Sequence, residues 1–84
     1  MIGGQRLATA QAFARDVETA GFDGLWFTES GRSAYLTCAA AALATTRIDI
    51  GTGVAVAFPR APFVTAGTAW ELAEASGGRF ILGL

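Results

Sequence analysis

The sequence predicts an α/β fold whose strands run parallel. Segments with helical periodicity alternate with short apolar runs, in the order helix, strand, helix, strand, helix, strand. The connections are short, and the strands begin near residues 23, 47 and 79. This alternation is typical of parallel βαβ units with right-handed crossovers, which place the helices on one face of the sheet.

The first helix is predicted over residues 5–20, where apolar side chains recur at steps of three and four, and Gly21 ends it. A strand over residues 23–28 follows. Its Trp26 and Phe27 are expected to pack in the core, because aromatic residues within strands are usually buried; the alternative is that they line a pocket for a planar ring. Glu29 falls at the carboxyl end of this strand.

The second strand is predicted over residues 47–56, after a helix over 34–45 that Ser33 caps. Two glycines, Gly51 and Gly53, interrupt this otherwise β-branched strand, which a regular strand would not favour. We therefore predict irregular backbone geometry at Gly53-Val54, either a bulge or a cis peptide.

Pro62 suits the first turn of a third helix, which runs to residue 76 with a predicted apolar stripe of Phe63, Ala66, Trp70 and Ala73. Gly77 can close this helix in a left-handed conformation. The last strand covers residues 79–84, and its apolar run is typical of a parallel strand buried on both faces.

Composition excludes several classes of function. Lys and Arg number only six and the net charge is −1, so no basic surface for nucleic acid is expected. One cysteine and no histidine exclude a zinc site or a Ser-His-Asp triad built from this chain alone. Neither a secretory signal nor a long apolar run is recognisable, which predicts a cytoplasmic protein without a membrane partner.

The chain is also unusually apolar for its size. Hydrophobic residues make up 52% of the 84 residues and charged residues 15%. A chain this short buries only about 60% of its unfolded surface and is marginally stable alone. We therefore expect a partner or a larger protein of which this chain is a piece.

Three segments in order resemble the luciferase-like monooxygenase family: Ala20-Gly21-Phe22-Asp23-Gly24-Leu25-Trp26 with Thr28-Glu29, Thr46-Arg47-Ile48-Asp49-Ile50-Gly51-Thr52-Gly53-Val54, and Ser76-Gly77-Gly78-Arg79-Phe80-Ile81-Leu82-Gly83-Leu84. The resemblance implies part of a (β/α)8 TIM barrel that uses FMN or the deazaflavin coenzyme F420. Since such barrels need about 250 residues, residues 1–84 would be a fragment of one barrel domain, about three βα units long.

The F420-dependent branch is favoured by residues 54–60 together with Ala69-Trp70-Glu71-Leu72. The resemblance implies hydride transfer between the deazaflavin and a small-molecule substrate, in an enzyme acting as a monooxygenase or dehydrogenase. A homo-oligomer is expected at full length. An FMN-dependent monooxygenase and a non-catalytic fragment or assembly subunit are the alternatives, and the isolated chain is expected to be inactive.

The candidate site residues lie at the predicted carboxyl ends of strands, where barrel enzymes carry their chemistry. Glu29 is the candidate catalytic residue; the other possibility is that it is solvated or pairs with Arg32. By the resemblance, Thr52, Gly53 and Val54 bind the cofactor, with a cis peptide at Gly53-Val54 that backs the ring. Phe58, just past the strand, is a further cofactor-binding candidate.

Two other residues have less specific interpretations. Arg60 either meets an anion, such as the acidic tail of the cofactor, or is solvated, as a lone arginine in a loop usually is. Cys38, in the middle of an alanine-rich helix, is interpreted as a small buried packing residue rather than a nucleophile.

Overall fold

The computed structural model describes residues 6–29, 32–56 and 60–84. In these ranges helices and strands alternate: α1 (Leu7–Thr19), β1 (Gly24–Phe27), α2 (Ala34–Ala44), β2 (Asp49–Thr52), α3 (Pro62–Ala75) and β3 (Phe80–Ile81). The type and order of the predicted elements are confirmed. No helix in the described ranges is both long and apolar enough to cross a membrane.

The three strands form one parallel sheet in the order β1-β2-β3. Leu25 on β1 lies opposite Ile50 on β2, which in turn lies opposite Phe80 on β3. The predicted parallel topology is therefore confirmed. Because neighbouring strands point the same way, their carboxyl ends meet at a single edge of the sheet.

The core lies on one face of this sheet. Leu25, Phe27 and Ile50 are buried there against helical side chains, which come from all three helices: Ala14, Tyr35, Cys38, Ala41, Ala42 and Leu72. The prediction that the helices cover one face is confirmed, as is the burial of Phe27 and Cys38.

Trp26 and its neighbours form the other face of the sheet. Gly51 and Ile81 share this side, since Gly51 lies opposite Trp26 on β1 and opposite Ile81 on β3. A Cβ at Gly51 would lie 2.6 Å from Trp26 Cδ1 and 2.9 Å from the Ile81 carbonyl oxygen. The half-buried Trp26 side chain thus packs over the main chain of Gly51, which has no side chain in the way, on the face away from the helices.

The helix ends follow the expected local chemistry. Gly21 and Gly77 adopt φ of +93° and +65°, the left-handed region that a glycine enters without steric cost. The Ser33 side chain caps α2 by accepting a hydrogen bond from the Leu36 amide at 3.4 Å. These local predictions are confirmed.

Arg79 stabilises the opposite edge of the sheet, where the strands begin. Its guanidinium donates to the carbonyl oxygens of Ile48 at 2.7 Å, Thr45 at 3.0 Å and Ala42 at 3.2 Å. Its Nε donates to the Ser76 carbonyl at 2.7 Å. One side chain therefore joins the end of α2 to the starts of β2 and β3.

Four details of the prediction were wrong. Strand β3 covers only Phe80–Ile81 rather than residues 79–84, and it is not buried on both faces, since Ile81 is 43% exposed. Trp26 is half-buried on the face away from the helices rather than packed in the core. Strand β2 ends at Thr52 rather than at residue 56, because the backbone leaves the ladder at Gly53. In α3 the buried residues are Thr65 and Leu72, whereas Phe63 and Trp70 are 87% and 68% exposed. Apolar side chains occur nearly all round α3, so packing against α2 and β3 decides which side is buried.

Candidate functional site

The segment of residues 53–56 leaves the sheet at its carboxyl edge and is fixed there by its own main chain. The Gly53 amide donates to the Phe27 carbonyl at the end of β1, at 2.8 Å. The Ala55 amide donates to the Gly83 carbonyl beyond β3, at 2.7 Å. This strand-end segment is therefore held between the ends of both neighbouring strands.

The Gly53–Val54 peptide bond is cis, although no proline is involved. The prediction of irregular backbone at this position is confirmed. The Val54 side chain is 53% exposed, whereas Ala55 beside it is buried. Val54 therefore presents apolar surface at the edge where the three strands end.

The other predicted cofactor-binding residues differ in what the structure says of them. The buried Thr52 hydroxyl donates to the Gly83 carbonyl at 2.9 Å and accepts from the Gly83 amide at 2.8 Å. It therefore joins the end of β2 to the segment that follows β3. Phe58 lies outside the described residues.

Glu29 lies at the same edge, two residues after β1, as predicted. Its Oε1 accepts hydrogen bonds from the Val56 amide at 2.9 Å and from Arg60 Nη1 at 2.8 Å. Its Oε2 accepts from the Ala34 amide at 3.0 Å and from Arg60 Nη2. The carboxylate thus joins the start of α2, the strand-end segment and Arg60, two residues before α3.

Arg60, rather than Arg32, is the partner of Glu29, and the two side chains pair in a bidentate salt bridge. Arg60 Nη1 also donates to the Val56 carbonyl at 2.8 Å. The guanidinium carbon lies 4.6 Å from the centre of the Tyr35 ring, which is cation–π geometry. The alternatives of a solvated Glu29, a Glu29–Arg32 pair and a solvated Arg60 were therefore wrong.

These contacts set the charge of the Glu29 side chain. Hydrogen bonds from Arg60 are the main cause that lowers the pKa of Glu29 to about 2, helped by the Val56 and Ala34 amides and opposed by burial. The same pair raises the pKa of Arg60. At neutral pH the site therefore contains a charged pair, and Glu29 has no proton to give.

A cavity of about 250 Å³ opens beside this salt bridge. Arg60 forms part of its wall, together with residues from the start of α3 and the end of the chain: Pro62, Thr65, Ala66, Leu82 and Leu84. Its lining is mostly apolar. The carboxyl edge thus combines the hydrogen-bonded strand-end segment, an ion pair whose two charges cancel, and an apolar cavity.

The buried thiol of Cys38 lies on the helix side of the sheet, against β2. Its Sγ donates a hydrogen bond to the Gly51 carbonyl at 3.3 Å. Burial raises the pKa of the thiol to about 12, so it stays protonated at neutral pH. Cys38 supports β2 from the helix side, in agreement with its predicted packing role.

Sequence reasoning missed the partnership of Glu29 with Arg60 and Val56, although a signal for it existed. Glu29 follows β1, Arg60 lies in the loop that follows β2, and the two strands are adjacent and parallel. Opposite charges after neighbouring parallel strands meet at the same edge. The contribution of the Tyr35 ring, which comes from α2, left no comparable signal.

The structure is thus that of an α/β protein with a parallel sheet, helices on one face and a candidate site at the carboxyl ends of the strands. A family model described as luciferase-like monooxygenase matches residues 1–84. The chain belongs to this family.

Individual relatives extend the match. Uncharacterized proteins of Mycobacterium tuberculosis and Mycobacterium bovis are each 43% identical over 79 residues, which is 94% of this chain and 23% of theirs. A 5,10-methylenetetrahydromethanopterin reductase of Methanolobus tindarius is 40% identical over 74 residues, 86% of this chain and 23% of that protein. The chain therefore spans less than a quarter of the length of these relatives.

Proposed function

We propose that this chain is part of a single (β/α)8 barrel that acts as a coenzyme F420-dependent oxidoreductase. One observation carries the proposal. The strand-end segment, residues 53–56, is anchored on both sides at the carboxyl edge and presents the half-exposed Val54. Ligands of barrel enzymes bind at this end of the strands.

The residues present fit the face of a planar deazaflavin ring. An apolar ring face packs well against a surface that is apolar and whose polar groups are already hydrogen bonded, because unpaired polar groups would lose their water. The amides of Gly53 and Ala55 already donate to neighbouring carbonyls, and both main-chain groups of Val56 are hydrogen bonded as well. The side chains of Val54 and Val56 remain to offer apolar contact.

The roles of the residues follow from this arrangement. Gly53 and Val54 would back the ring, Thr52 would hold the strand end beneath it, and Phe58 stays a proposed contact. When bound, F420 supplies a hydride donor or acceptor, and the protein positions it and excludes water. Glu29, the residue predicted to be catalytic, lies beside the strand-end segment as an ionised carboxylate.

The choice of F420 over FMN rests on the sequence resemblance and on one relative. The name of the Methanolobus tindarius relative describes the reduction of a methylene group on a pterin. Such a reduction adds a hydride to the methylene carbon and a proton to the nitrogen that it leaves, and a hydride donor provides the hydride. The family description as monooxygenases favours FMN as the second candidate cofactor.

Cofactor titration of the full-length protein tests the proposal. We expect micromolar or tighter binding of F420, followed by fluorescence, and at least about tenfold weaker binding of FMN. Tighter binding of FMN would favour the monooxygenase alternative. Binding of neither cofactor would contradict the proposal and leave a non-catalytic role.

A matched pair of valine variants locates the site. Val54 and Val64 are both 53% exposed, but Val64 lies on α3. Val54→Asp should weaken F420 binding at least about tenfold, because a carboxylate beneath an apolar ring face must be desolvated. Val64→Asp should leave binding unchanged. Equal effects of the two substitutions would contradict a cofactor site at residues 53–56.

A further inference from the structure

Glu29 and Arg60 form a closed unit, which we call the Glu29–Arg60 clamp. Four hydrogen bonds reach the carboxylate, two from Arg60 and one each from the Val56 and Ala34 amides. The exposed fractions of the Glu29 and Arg60 side chains are only 12% and 20%. Charge-assisted, bidentate pairs of this kind have fixed geometry, unlike pairs on an open surface.

The clamp grips the strand-end segment through Val56. The Val56 amide donates to Glu29 Oε1 at 2.9 Å, and the Val56 carbonyl accepts from Arg60 Nη1 at 2.8 Å. Both main-chain groups of one residue are thus bound by the two members of one salt bridge. With the bonds from Gly53 to Phe27 and from Ala55 to Gly83, residues 53–56 are fixed at three points.

The Tyr35 ring supports the clamp from α2. The Arg60 guanidinium lies over this ring, and Tyr35 is 4% exposed. The Tyr35 hydroxyl has no hydrogen-bond partner within the described ranges. What Tyr35 contributes to this contact is the face of its ring.

We propose that Glu29 and Arg60 are positioning residues, which hold residues 53–56 in the conformation that receives the cofactor, and that Glu29 exchanges no proton in the reaction. The cofactor part of this inference rests on the proposed function. The contacts favour positioning over proton transfer because both carboxylate oxygens are already engaged by donors. Small displacements of a positioned group produce large losses, up to about a hundredfold per ångström.

The test compares charge and shape variants in the full-length protein. Glu29→Gln keeps the shape of the side chain and removes its charge, while Arg60→Lys keeps the charge and removes the fork. We expect each to weaken F420 binding by about tenfold or more. The double variant should bind no more weakly than either single variant, because the two residues act as one unit. Glu74→Gln and Arg15→Lys, on exposed helix surfaces, are the controls.

Three readouts separate positioning from the other roles. The limbs of the pH profile of kcat/KM should keep their positions in Glu29→Gln. Loss of a limb with unchanged F420 affinity would instead assign proton transfer to Glu29 and overturn the inference. A lowered melting temperature with unchanged F420 affinity would show that the Glu29–Arg60 clamp only stabilises the fold, which would also overturn the inference.

Hydrogen–deuterium exchange of the cofactor-free protein distinguishes failure of the clamp from failure of the proposed function. If the wild type binds neither F420 nor FMN, the proposed function fails, and exchange alone decides the clamp. Peptides that contain residues 53–56 should exchange about tenfold faster in Glu29→Gln than in Glu74→Gln, since one charge-assisted bond to Val56 is weakened. Equal exchange in the two variants would overturn the inference.

Discussion

Glu29 and Glu18 both accept backbone amide hydrogen bonds, but only Glu29 also faces a guanidinium fork. The Glu18 carboxylate receives the amides of Thr46, Arg47 and Ile48, and the amide of Arg47 is the main cause that lowers its pKa. Glu18 thereby fixes the loop before β2. Two glutamates thus stabilise opposite ends of the same strand, and Glu29 is the one at the edge where ligands bind.

The lowered pKa of Glu29 predicts a specific loss of stability in acid. The folded state holds the pKa at about 2, against an ordinary value of 4.5, so the carboxylate stabilises the fold above pH 4.5. This contribution, about 2 kcal/mol after allowance for solvent screening, is lost as the pH falls from 4.5 towards 2. Urea unfolding of the full-length protein at a series of pH values measures it.

The Glu29→Gln variant provides the comparison for this titration. It should start less stable near neutral pH and lose less free energy of unfolding between pH 5 and pH 2, because it has no carboxyl group to protonate. Glu74→Gln, which alters an exposed position on α3, should follow the wild type. Identical pH dependence of Glu29→Gln and the wild type would show that the salt bridge contributes nothing to stability.

At the level of elements, the segment after β3 is fitted closely to the end of β2 by Gly83. A Cβ at Gly83 would overlap the Thr52 carbonyl oxygen, and the Gly83 main chain bonds the Thr52 hydroxyl twice. We expect Gly83→Ala to lower the free energy of unfolding of the full-length protein by about 1–3 kcal/mol, since the backbone must move.

Gly67 is the matched control for this substitution. It lies within α3, and a Cβ there meets nothing within 4 Å. Gly67→Ala should therefore raise the free energy of unfolding by about 0.5–1 kcal/mol, because alanine favours the helix. Denaturant unfolding measures both variants. A neutral Gly83→Ala would mean that the segment after β3 adjusts freely relative to β2.

The sequence predicted the elements well because each has a strong local signal. Helical spacing, the glycine stops and the Ser33 cap all depend on neighbouring residues, and all are confirmed. The buried side of α3 could not be predicted, since its apolar residues surround the helix. The pairing of Glu29 with Arg60 spans 31 residues and depends on which strands are adjacent. Whether the predicted site residues bind a cofactor stays a prediction.

At the scale of the whole molecule, the two faces of the sheet differ in how far they are covered. All three helices close one face, while the side of Trp26 and Ile81 has no helix over it in the described ranges. Ile81 is 43% exposed, and on α3 Phe63 and Trp70 are exposed more strongly. In a complete barrel the face opposite the helices is the packed interior. The relatives are more than four times longer than their aligned part, which is room for the remaining strands.

This exposure predicts how the 84-residue chain behaves when produced alone. We expect it to self-associate, because uncovered apolar surface and the unpaired outer edges of β1 and β3 offer contacts to further copies. We also expect no binding of F420 or FMN at micromolar concentration, since a partial set of contacts must still overcome the entropy cost of association. Light scattering measures the size, and fluorescence titration measures the binding. The full-length protein is the control, and a monodisperse monomer that binds F420 at micromolar concentration would mean that residues 1–84 already form a self-sufficient site.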